Sequence, residues 1–416
     1  MTGPGATRAA VEAVWRIESA HIVSSLARHT GDFALAEDVA QEALAQALVT
    51  WPRDGVPANP AGWLLTTARR RAIDAFRRRS ALDERYAALA HQADEAEEPD
   101  WDPDRIEDDV LALMFISCHP VLSRESQVAL TLRVVGGLTS DEIARGFLVP
   151  TATVQARITR AKKTLAAANV PFEVPPPDER RERLGPVLSV VYLIFTEGSS
   201  ATGGSALIRT DLAREAVRQA RVLAHLVPDE PEVHGLLALL ELTAARFSAR
   251  LDADGEPVLL EDQDRRRWDR SAIVRGRAAL AQAGKVGRGL GAYGVQAAIA
   301  ETHAVAPSVA DTDWGRIVVL YEALGRLAPS PVVELNRAVA VSMADGPAAA
   351  LPIVDDLVET GALPGSHLLP TVRGELLTRL GRTDEARREL EDAVRLCGSE
   401  PERRVLDRKL AALGPE

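Results

Sequence analysis

A cationic stretch without a single acidic residue runs from Thr151 to Leu165, at the end of a segment with several helix signals. Polar side chains come first and cations follow. A helix that enters a major groove needs this order, because it contacts base edges at its start and phosphates further on. We therefore predict that this stretch binds duplex DNA. The predicted contacts are Thr151, Thr153, Gln155, Arg157, Arg160, Lys162 and Lys163.

A second set of side chains with binding potential lies between residues 51 and 79, where tryptophans are followed by arginines. The proline-rich segment Trp51 to Pro60 predicts a loop, and Asn59 is the predicted N-cap of the helix that follows. Exposed rings hold unstacked bases and arginines follow phosphates, so the pattern suits single-stranded DNA. Trp63 could equally be a core residue beside Leu64. The predicted contacts are Trp51, Arg53, Asn59, Trp63, Arg69, Arg70, Arg77 and Arg78.

No residue pattern predicts catalysis, a metal or a cofactor. Cys118 and His119 are adjacent, but they end an apolar helix. His225, His234, His303 and His367 are scattered without metal-ligand spacing. The glycine-rich stretch after residue 197 lacks the Lys-Ser/Thr ending of a phosphate-binding loop. We therefore expect no enzyme, no catalytic residue, no metal site and no cofactor.

The elements that position these residues are predicted to be helices throughout. Aromatic residues make up only 4% of the 416 residues, so Ala, Leu and Val must form the core, and this composition favours an all-α fold. Thr139 and Glu142 form a capping-box signature for a short helix from Asp141 to Gly146. Thr151 or Thr153 is predicted to cap the final helix, which runs to about Ala168. Two helices joined by a short turn are typical of a helix-turn-helix.

Charge and proline patterns divide the chain into five segments. Two basic-leaning modules, residues 1–82 and 110–170, flank an acidic linker at 83–109 that carries two basic and twelve acidic residues. This linker is either a solvated spacer or a regulatory tether that mimics phosphates. A proline-rich linker at 171–180 leads to a helical domain at 181–416. Its spacing predicts an irregular stack of tetratricopeptide-like helix pairs, interrupted by a charged insertion from Arg250 to Trp268 and by Pro352.

The composition favours a cytoplasmic protein. No apolar run approaches the roughly 18 residues of a membrane span, so we expect no membrane partner. Met1 to Ala10 lacks the apolar core of a signal peptide. Two cysteines cannot build a disulfide framework. The net charge of −11 hides the two basic modules, so it does not exclude nucleic acid as a partner.

The segments DFALAEDVAQEALAQAL and NPAGWLLTTARRRAIDAFRRR precede the helix-turn-helix in this order. Together they resemble a bacterial sigma factor of the extracytoplasmic-function type, whose two modules are called region 2 and region 4. Four later segments resemble the group of these factors that carries a tetratricopeptide-like extension. They are PVLSVVYLIFTEG, LLEDQDRRRWDRSAI, YGVQAAIAETHA and DTDWGRIVVLYEAL, the last of which is followed by SPVVELNRAVAV.

The resemblance implies core RNA polymerase and promoter DNA as partners. Region 4 would read the −35 element as duplex and meet the polymerase flap. The loop of region 2 would capture a flipped base of the −10 element, and its arginine helix would contact the melted strand. The family often has Asn where this chain has Arg70, which makes a phosphate contact the expectation there. The acidic helix would dock on the polymerase clamp through Glu37, Asp38, Gln41 and Glu42.

Three functions therefore remain open from the sequence. The first is a sigma factor whose C-terminal domain packs on the sigma modules or on polymerase and regulates initiation. The second is a helix-turn-helix regulator with a partner-sensing repeat domain. The third is an acidic helical scaffold. The loop and arginine helix at 51–79 favour the first, because an ordinary regulator needs no single-strand module.

Overall fold

The computed structural model describes residues 4–80, 103–147, 149–199, 206–250, 252, 258–286, 289–398 and 400–414. These residues contain eighteen α-helices and no strand, so the predicted all-α fold is confirmed for them. None of the helices in this part of the chain is long and apolar enough to cross a membrane. The chain divides into two compact units, Met1–Glu197 and Gly198–Glu416.

Three helices open the first unit: α1 (Pro4–Thr30), α2 (Phe33–Asp54) and α3 (Pro60–Ser80). Gly31 takes a φ of +63°, which lets the chain reverse direction between α1 and α2. The Asp32 side chain accepts a hydrogen bond from the Leu35 amide at 2.9 Å and caps α2. Helix α1 packs against both α2 and α3. The core includes the buried side chains of Trp15, Leu26, Val39, Trp51 and Leu64.

Four further helices form the second module of this unit: α4 (Pro103–Ser117), α5 (Arg124–Val134), α6 (Ser140–Phe147) and α7 (Thr151–Ala167). The sequence predicts a linker up to residue 109, but α4 already begins at Pro103, so that prediction is wrong for its last residues. Asp109 is only 6% exposed and pairs with Arg28 at 3.2 Å, so it is part of a packed helix. Residues 83–102 of the predicted linker lie outside the described part.

The predicted helix-turn-helix is present, with one of its two predicted caps. Thr139 and Glu142 form the expected capping box, in which the Thr139 amide donates to Glu142 at 2.7 Å and the Glu142 amide donates to Thr139 at 3.1 Å. Neither Thr151 nor Thr153 caps α7, because Pro150 occupies the N-cap position and offers no side-chain acceptor. The Thr151 hydroxyl instead donates to Asp141 at 2.8 Å, which ties the start of α7 to α6.

Helix α8 (Pro177–Ser199) begins within the proline-rich segment 171–180, which predicts a domain boundary. The compact units divide later, between Glu197 and Gly198, so nearly all of α8 belongs to the first unit. Its apolar side chains Leu188, Val191, Ile194 and Phe195 are buried. A truncation that is meant to keep the first unit whole must therefore retain α8.

The second unit is a stack of ten helices in which each packs against the next along the chain. They are α9 (Ala206–Leu226), α10 (Pro231–Ala244), α11 (Arg270–Lys285), α12 (Ala292–Val305), α13 (Trp314–Leu327), α14 (Pro331–Ala344), α15 (Pro347–Glu359), α16 (Leu368–Arg379), α17 (Thr383–Leu396) and α18 (Glu400–Ala412). Gly374 lets α16 and α17 cross closely, because a Cβ atom there would lie 2.9 Å from Leu390 Cγ. The prediction that Pro352 breaks the pattern is wrong, since it lies inside α15.

The charged insertion before α11 contributes to packing in the second unit. Its described residues form single 3₁₀ turns, Leu260–Asp262 and Arg265–Arg267. The buried Arg265 guanidinium donates to the backbone carbonyls of His303 and Ala306, both at 2.6 Å. The same guanidinium lies over the Trp268 ring, 5.0 Å from its centroid. The insertion therefore braces the end of α12.

Candidate nucleic-acid interface

Helix α7 is held by one apolar face and presents polar side chains on the rest. Val154, Ile158, Ala161 and Leu165 recur at helical spacing and are buried within the first unit. This face fixes the helix against α5 and α6. Three of the predicted DNA contacts are exposed, namely Gln155, Arg160 and Lys163. Thr151, Thr153, Arg157 and Lys162 are only partly exposed.

Arg157 lies in a different environment from the exposed cations of α7. It lines a cavity of about 320 Å³ together with Glu125 on α5 and Leu193 and Glu197 on α8. The pKa of the Glu125 carboxyl is lowered by hydrogen bonds at the start of α5, and the charge of Arg157 lowers it further. Contact with a base by Arg157 stays a prediction, and the structure gives Arg160 and Lys163 the more accessible positions.

The loop that precedes α3 is shorter than predicted, because α2 continues through Trp51, Pro52 and Arg53 to Asp54. Trp51 is 1% exposed and its ring meets the Trp63 ring edge-on, with centroids 5.5 Å apart. The prediction that Trp51 lies in an exposed loop is therefore wrong, and its ring is not available to a base in this structure. Trp63 is partly exposed. Its ring thus packs on one side against the buried Trp51 ring.

The predicted N-cap at Asn59 is confirmed. Its side-chain oxygen accepts a hydrogen bond from the Gly62 amide at 2.9 Å, and its carbonyl accepts from the Trp63 amide at 3.1 Å. Pro60 follows as the first residue of α3, where its missing N–H costs nothing. The cap fixes the first turn of α3 and so positions Trp63.

We expect Asn59→Ala to lower the free energy of unfolding by about 0.5–2 kcal/mol, the usual cost of a lost N-cap. Asn59→Asp is the matched control, because it keeps an acceptor at the same place. Chemical denaturation monitored by tryptophan fluorescence measures both. Equal losses in the two variants would contradict the capping role.

The arginines of this surface fall into three groups. Arg53, Arg70 and Arg77 are exposed, so they lie where a DNA backbone could reach them. Arg69 is partly buried, and its burial and the charge of Arg28 lower its pKa. Arg71, which is not among the predicted contacts, pairs with Glu42 at 2.6 Å. The side chain of Arg78 lies outside the described residues.

The four predicted polymerase contacts on α2 do not form one open acidic face. Glu42 is exposed and Gln41 is partly exposed. Glu37 is buried, with a side chain that is 4% exposed, and it accepts bonds from Arg133 at 3.2 Å and from Lys162 at 2.8 Å. Lys162 also contacts the exposed carboxylate of Asp38. Glu37, a predicted polymerase contact, is therefore paired with Lys162, a predicted DNA contact.

Further contacts join the same two modules. Arg16 on α1 pairs with Glu142 on α6 at 2.8 Å. Gly137, in the turn before α6, has a φ of +66° and lies so close to α1 that a Cβ atom there would be 2.5 Å from Ser19 Oγ. Helix α1 also packs along α4. The modules of the first unit form one packed body in this structure.

Two side chains with possible catalytic chemistry, His303 and Cys118, lie in environments that disfavour reaction near neutral pH. Burial lowers the pKa of His303 to about 4, helped by Arg246 and Arg265, so its ring is neutral at neutral pH. The Cys118 thiol contacts Thr131 at 3.3 Å, and burial raises its pKa to about 11. Neither group is poised as a base or a nucleophile near neutral pH.

One histidine does have neighbours that can bind metal. His367, Cys397 and Glu402 each offer a ligand atom, and these atoms lie within 4.8 Å of one another. The interpretation that the histidines lack such neighbours is therefore wrong for His367, because residues far apart in sequence meet between α16 and α18. The His367–Glu402 distance of 3.6 Å also fits an ordinary ion pair.

The raised pKa of Cys118 predicts slow chemistry at neutral pH. At pH 8 only roughly one thiol in a thousand would be ionised, against about one in four for an ordinary cysteine of pKa near 8.5. Because the unfolded chain ionises first, this thiol also lowers stability as the pH rises from about 8.5 to about 11. Labelling of a Cys397→Ser variant with a thiol reagent checks this: reaction should be slow when folded and fast in denaturant. Rapid labelling of the folded variant at pH 8 would contradict the assignment.

Comparison with known protein families gives three matches along the chain. Residues 18–81 match the model for Sigma-70 region 2, and residues 112–165 match the model for Sigma-70, region 4. Residues 183–284 match a family of unknown function, DUF6596. The region 4 match runs from α4 to α7, so it contains the helix-turn-helix.

Three relatives cover different shares of the chain. An uncharacterized protein of Rhizobium meliloti is 44% identical over 406 residues, which is 95% of this chain and 93% of that protein. The ECF RNA polymerase sigma factor SigL of Mycobacterium tuberculosis is 31% identical over 168 residues, 40% of this chain and 92% of that protein. The probable ECF RNA polymerase sigma factor SigI of the same organism is 28% identical over 174 residues, 41% of this chain and 59% of that protein.

Proposed function

The chain belongs to the ECF RNA polymerase sigma factors, and we propose that it directs core RNA polymerase to promoters and opens the DNA there. The observation that supports this most is that one compact unit carries two different cationic surfaces. One is a helix-turn-helix with exposed cations on α7. The other is α3, a helix that carries several arginines and the Trp63 ring, which packs against Trp51.

The two surfaces divide the recognition of a promoter. Helix α7 reads the −35 element as duplex, with Gln155 at the base edges and Arg160 and Lys163 on phosphates. Helix α3 holds the melted −10 strand, with the partly exposed Trp63 as the stacking ring and Arg70 on the backbone. Capture of a flipped base offsets the cost of unstacking, which is a few kcal/mol per base. The chain makes and breaks no covalent bond in this role.

Polymerase binding is assigned to α2, whose acidic side chains would meet the cationic clamp. Asp38 and Glu42 are exposed in the structure and Gln41 is partly exposed, whereas Glu37 is buried. Charge complementarity sets the orientation and the association rate of such a contact. Glu37 becomes available only when its pairing with Arg133 and Lys162 is broken, whereas the carboxylate of Asp38 is exposed although it contacts Lys162.

Reconstitution with core RNA polymerase tests this function. We expect the purified chain to co-migrate with bacterial core enzyme on size exclusion at about one per core, and to be displaced by another sigma factor. The resulting holoenzyme should initiate at specific sites on genomic DNA fragments, where core enzyme alone does not. Specific duplex binding without any core binding would instead support the ordinary helix-turn-helix regulator.

We assign a regulatory role to the second unit, which acts on the sigma modules or on polymerase. It contains a cavity of about 460 Å³ that is lined mainly by apolar side chains, among them Trp314, Val339, Met343 and Leu376. Arg379 at its edge donates to the Ser342 hydroxyl at 2.6 Å. A cavity of this size and lining is typical of small-molecule sites. A signal could therefore enter through this unit.

A truncation that keeps residues 1–197 tests the regulatory role. The cut after Glu197 removes only Gly198 and Ser199 from α8 and keeps the whole first compact unit. If the second unit restrains initiation, the truncated chain should give more transcript per bound core than the full chain. If the second unit assists, it should give less. Equal transcription by both chains would contradict a regulatory role.

A further inference from the structure

The cavity of the second unit lies between helices that are far apart in the sequence. It is bordered by the 3₁₀ turn Leu260–Asp262 of the charged insertion and by side chains of α12, α13, α14, α16 and α18. Its volume of about 460 Å³ is within the range of roughly 300–1,000 Å³ that small-ligand pockets span. Leu259 and Val339 on its wall are 37% and 38% exposed. Apolar side chains left in water around a cavity indicate a surface that an apolar ligand can cover.

Trp314 gives this cavity an apolar ring. Its indole N–H donates to the Val309 carbonyl at 3.1 Å, so the polar edge of the ring is satisfied. The His303 ring meets the Trp314 ring edge-on, with centroids 5.2 Å apart. Met343 lines the same cavity, and its flexible thioether adapts to ligands of different shape. This part of the wall therefore suits a hydrocarbon chain or ring.

His303 adds a neutral polar atom to the wall. Its Nδ1 atom is buried and has no hydrogen-bond partner among the described residues. Burial lowers the pKa of the ring to about 4, helped by the charges of Arg246 and Arg265, so the ring is neutral at neutral pH. Buried polar atoms are normally paired, so a ligand with a neutral polar group is favoured beside this ring. Because the ring carries no charge, the charge of a ligand must be met by other side chains.

Four charged side chains border the cavity, and they differ in how they are held. Lys409 and Glu375 pair with each other at 2.5 Å, so their charges cancel. Glu261 is exposed, and no contact within the described part of the chain fixes its carboxylate. The Arg379 guanidinium is fixed, because it donates to the Ser342 hydroxyl at 2.6 Å and to the Ser342 carbonyl at 3.4 Å. Arg379 is therefore the positioned charge of the cavity.

Arg379 retains the capacity to bind an anion. A guanidinium has five N–H donors, and its contacts with Ser342 and with the Met343 sulfur use at most three of them. No carboxylate among the described residues pairs with it. Its planar fork can hold a carboxylate through two parallel bonds, which are stronger than bonds between neutral groups. A fixed guanidinium beside an apolar cavity thus favours a ligand with an apolar body and one carboxylate.

We propose that this cavity binds a small apolar carboxylic acid of the medium-chain fatty-acid class, with its chain against Trp314 and Met343 and its carboxylate on Arg379. The inference rests on the proposed regulatory role of the second unit, since it names the chemical class of the signal that this unit receives. The bound acid contacts α13, α14 and α16 at once. It therefore stabilises their packing, because a ligand that binds only the folded chain shifts the folding equilibrium.

Isothermal titration calorimetry of the full chain with submillimolar decanoate tests the site. Hexanoate has the same head group and a shorter chain, and decyltrimethylammonium has the same chain and the opposite charge. We expect decanoate to bind at about one per chain. Hexanoate should bind roughly tenfold more weakly or worse, because each buried methylene adds affinity. Tighter binding of the cation than of decanoate would assign the charge recognition to Glu261 and overturn the proposal.

A matched pair of arginine variants locates the carboxylate. Arg379→Gln removes the guanidinium at the cavity, and Arg388→Gln removes an exposed arginine of α17 that does not line it. The first should weaken decanoate binding by roughly 10- to 100-fold, the loss expected for a charge-assisted hydrogen bond. The second should bind decanoate as the parent does. Equal affinities of the two variants would overturn the proposal.

A matched pair of valine variants locates the chain of the acid. Val339 and Val332 both lie on α14 and are 38% and 40% exposed, and of the two Val339 lines the cavity. Val339→Trp should abolish decanoate binding because the larger ring fills the cavity, whereas Val332→Trp should leave it unchanged. Circular dichroism checks that both variants fold. Undiminished binding by a folded Val339→Trp variant would put decanoate elsewhere and overturn the site.

Run-off transcription by the reconstituted holoenzyme separates this inference from the proposed function. We expect decanoate to change the transcript yield of the parent and to leave that of Arg379→Gln unchanged. Absence of decanoate binding in calorimetry overturns the site, whatever the transcript yield shows. Binding at the cavity with an unchanged transcript yield confirms the site and contradicts the regulatory role of the second unit.

Discussion

Reversal of two exposed charges on α7 should abolish promoter-dependent transcription and leave polymerase binding intact. Arg160 and Lys163 are exposed, and the cations that pair with Glu37 are instead Arg133 and Lys162. A charge-assisted hydrogen bond contributes about 1.5–3 kcal/mol. Loss of two such bonds therefore predicts a decrease of roughly 100-fold or more in −35 affinity, because 1.4 kcal/mol is a factor of ten. Arg160→Glu with Lys163→Glu makes this change.

The matched control carries the same two charge reversals away from the sigma modules. Lys285→Glu with Arg388→Glu replaces one exposed lysine and one exposed arginine of the second unit. Run-off transcription on a promoter-bearing fragment and co-migration with core enzyme measure both proteins. We expect the control pair to transcribe as the parent does. If the α7 pair lost core binding along with transcription, the assignment of α7 to DNA would be wrong.

Truncation of Trp51 should destabilise the first unit strongly. Its ring is 1% exposed and lies under Trp63, between α2 and α3. Removal of such a side chain leaves a cavity, and Trp→Ala in a core costs about 3–5 kcal/mol. We expect Trp51→Ala to lower the free energy of unfolding by this amount, measured by chemical denaturation of residues 1–197 monitored by circular dichroism.

Two further variants separate core packing from base stacking. Trp51→Phe keeps most of the apolar volume, and it removes an indole N–H that has no hydrogen-bond partner among the described residues. It should therefore fold with a much smaller loss. Trp63→Ala should cost less stability than Trp51→Ala and should impair promoter melting. A stable Trp51→Ala variant that cannot melt promoters would show that Trp51 contacts DNA, as the sequence pattern suggested.

The tryptophans show why the single-strand surface could be predicted only in part. Asn59 as an N-cap follows from local chemistry, since a side-chain acceptor before Pro60 satisfies amides of the next turn. The end of α2 at Asp54 does not follow from local chemistry, because Pro52 and Gly55 are local signals for a loop. The burial of Trp51 between two helices holds α2 together for one more turn. The packing of Trp51 against Trp63 on α3 therefore outweighs the local loop signal of Pro52 and Gly55.

The second unit shows the same division between pattern and packing. Small and apolar residues at tetratricopeptide spacing, such as Gly374, Ala386 and Leu390, predict close helix crossings, and all are buried. The sequence also suggests that Pro352 ends this order, yet α15 continues through it. The meeting of His367 with Cys397 and Glu402 has no local signal at all, because it depends on how α16 and α18 are placed.

Sequence patterns were sufficient to predict the helical fold, the helix-turn-helix with its Thr139–Glu142 capping box, and the order of two basic modules that resembles a sigma factor. These features depend on helical periodicity, capping and charge, which are local or nearly so. Which of the predicted contacts are accessible depends on tertiary packing. Glu37 and Lys162 lie on the faces that the sequence assigns to polymerase and to DNA, and they are 125 residues apart. Their pairing depends on the packing of one module against the other, which no spacing along the chain records.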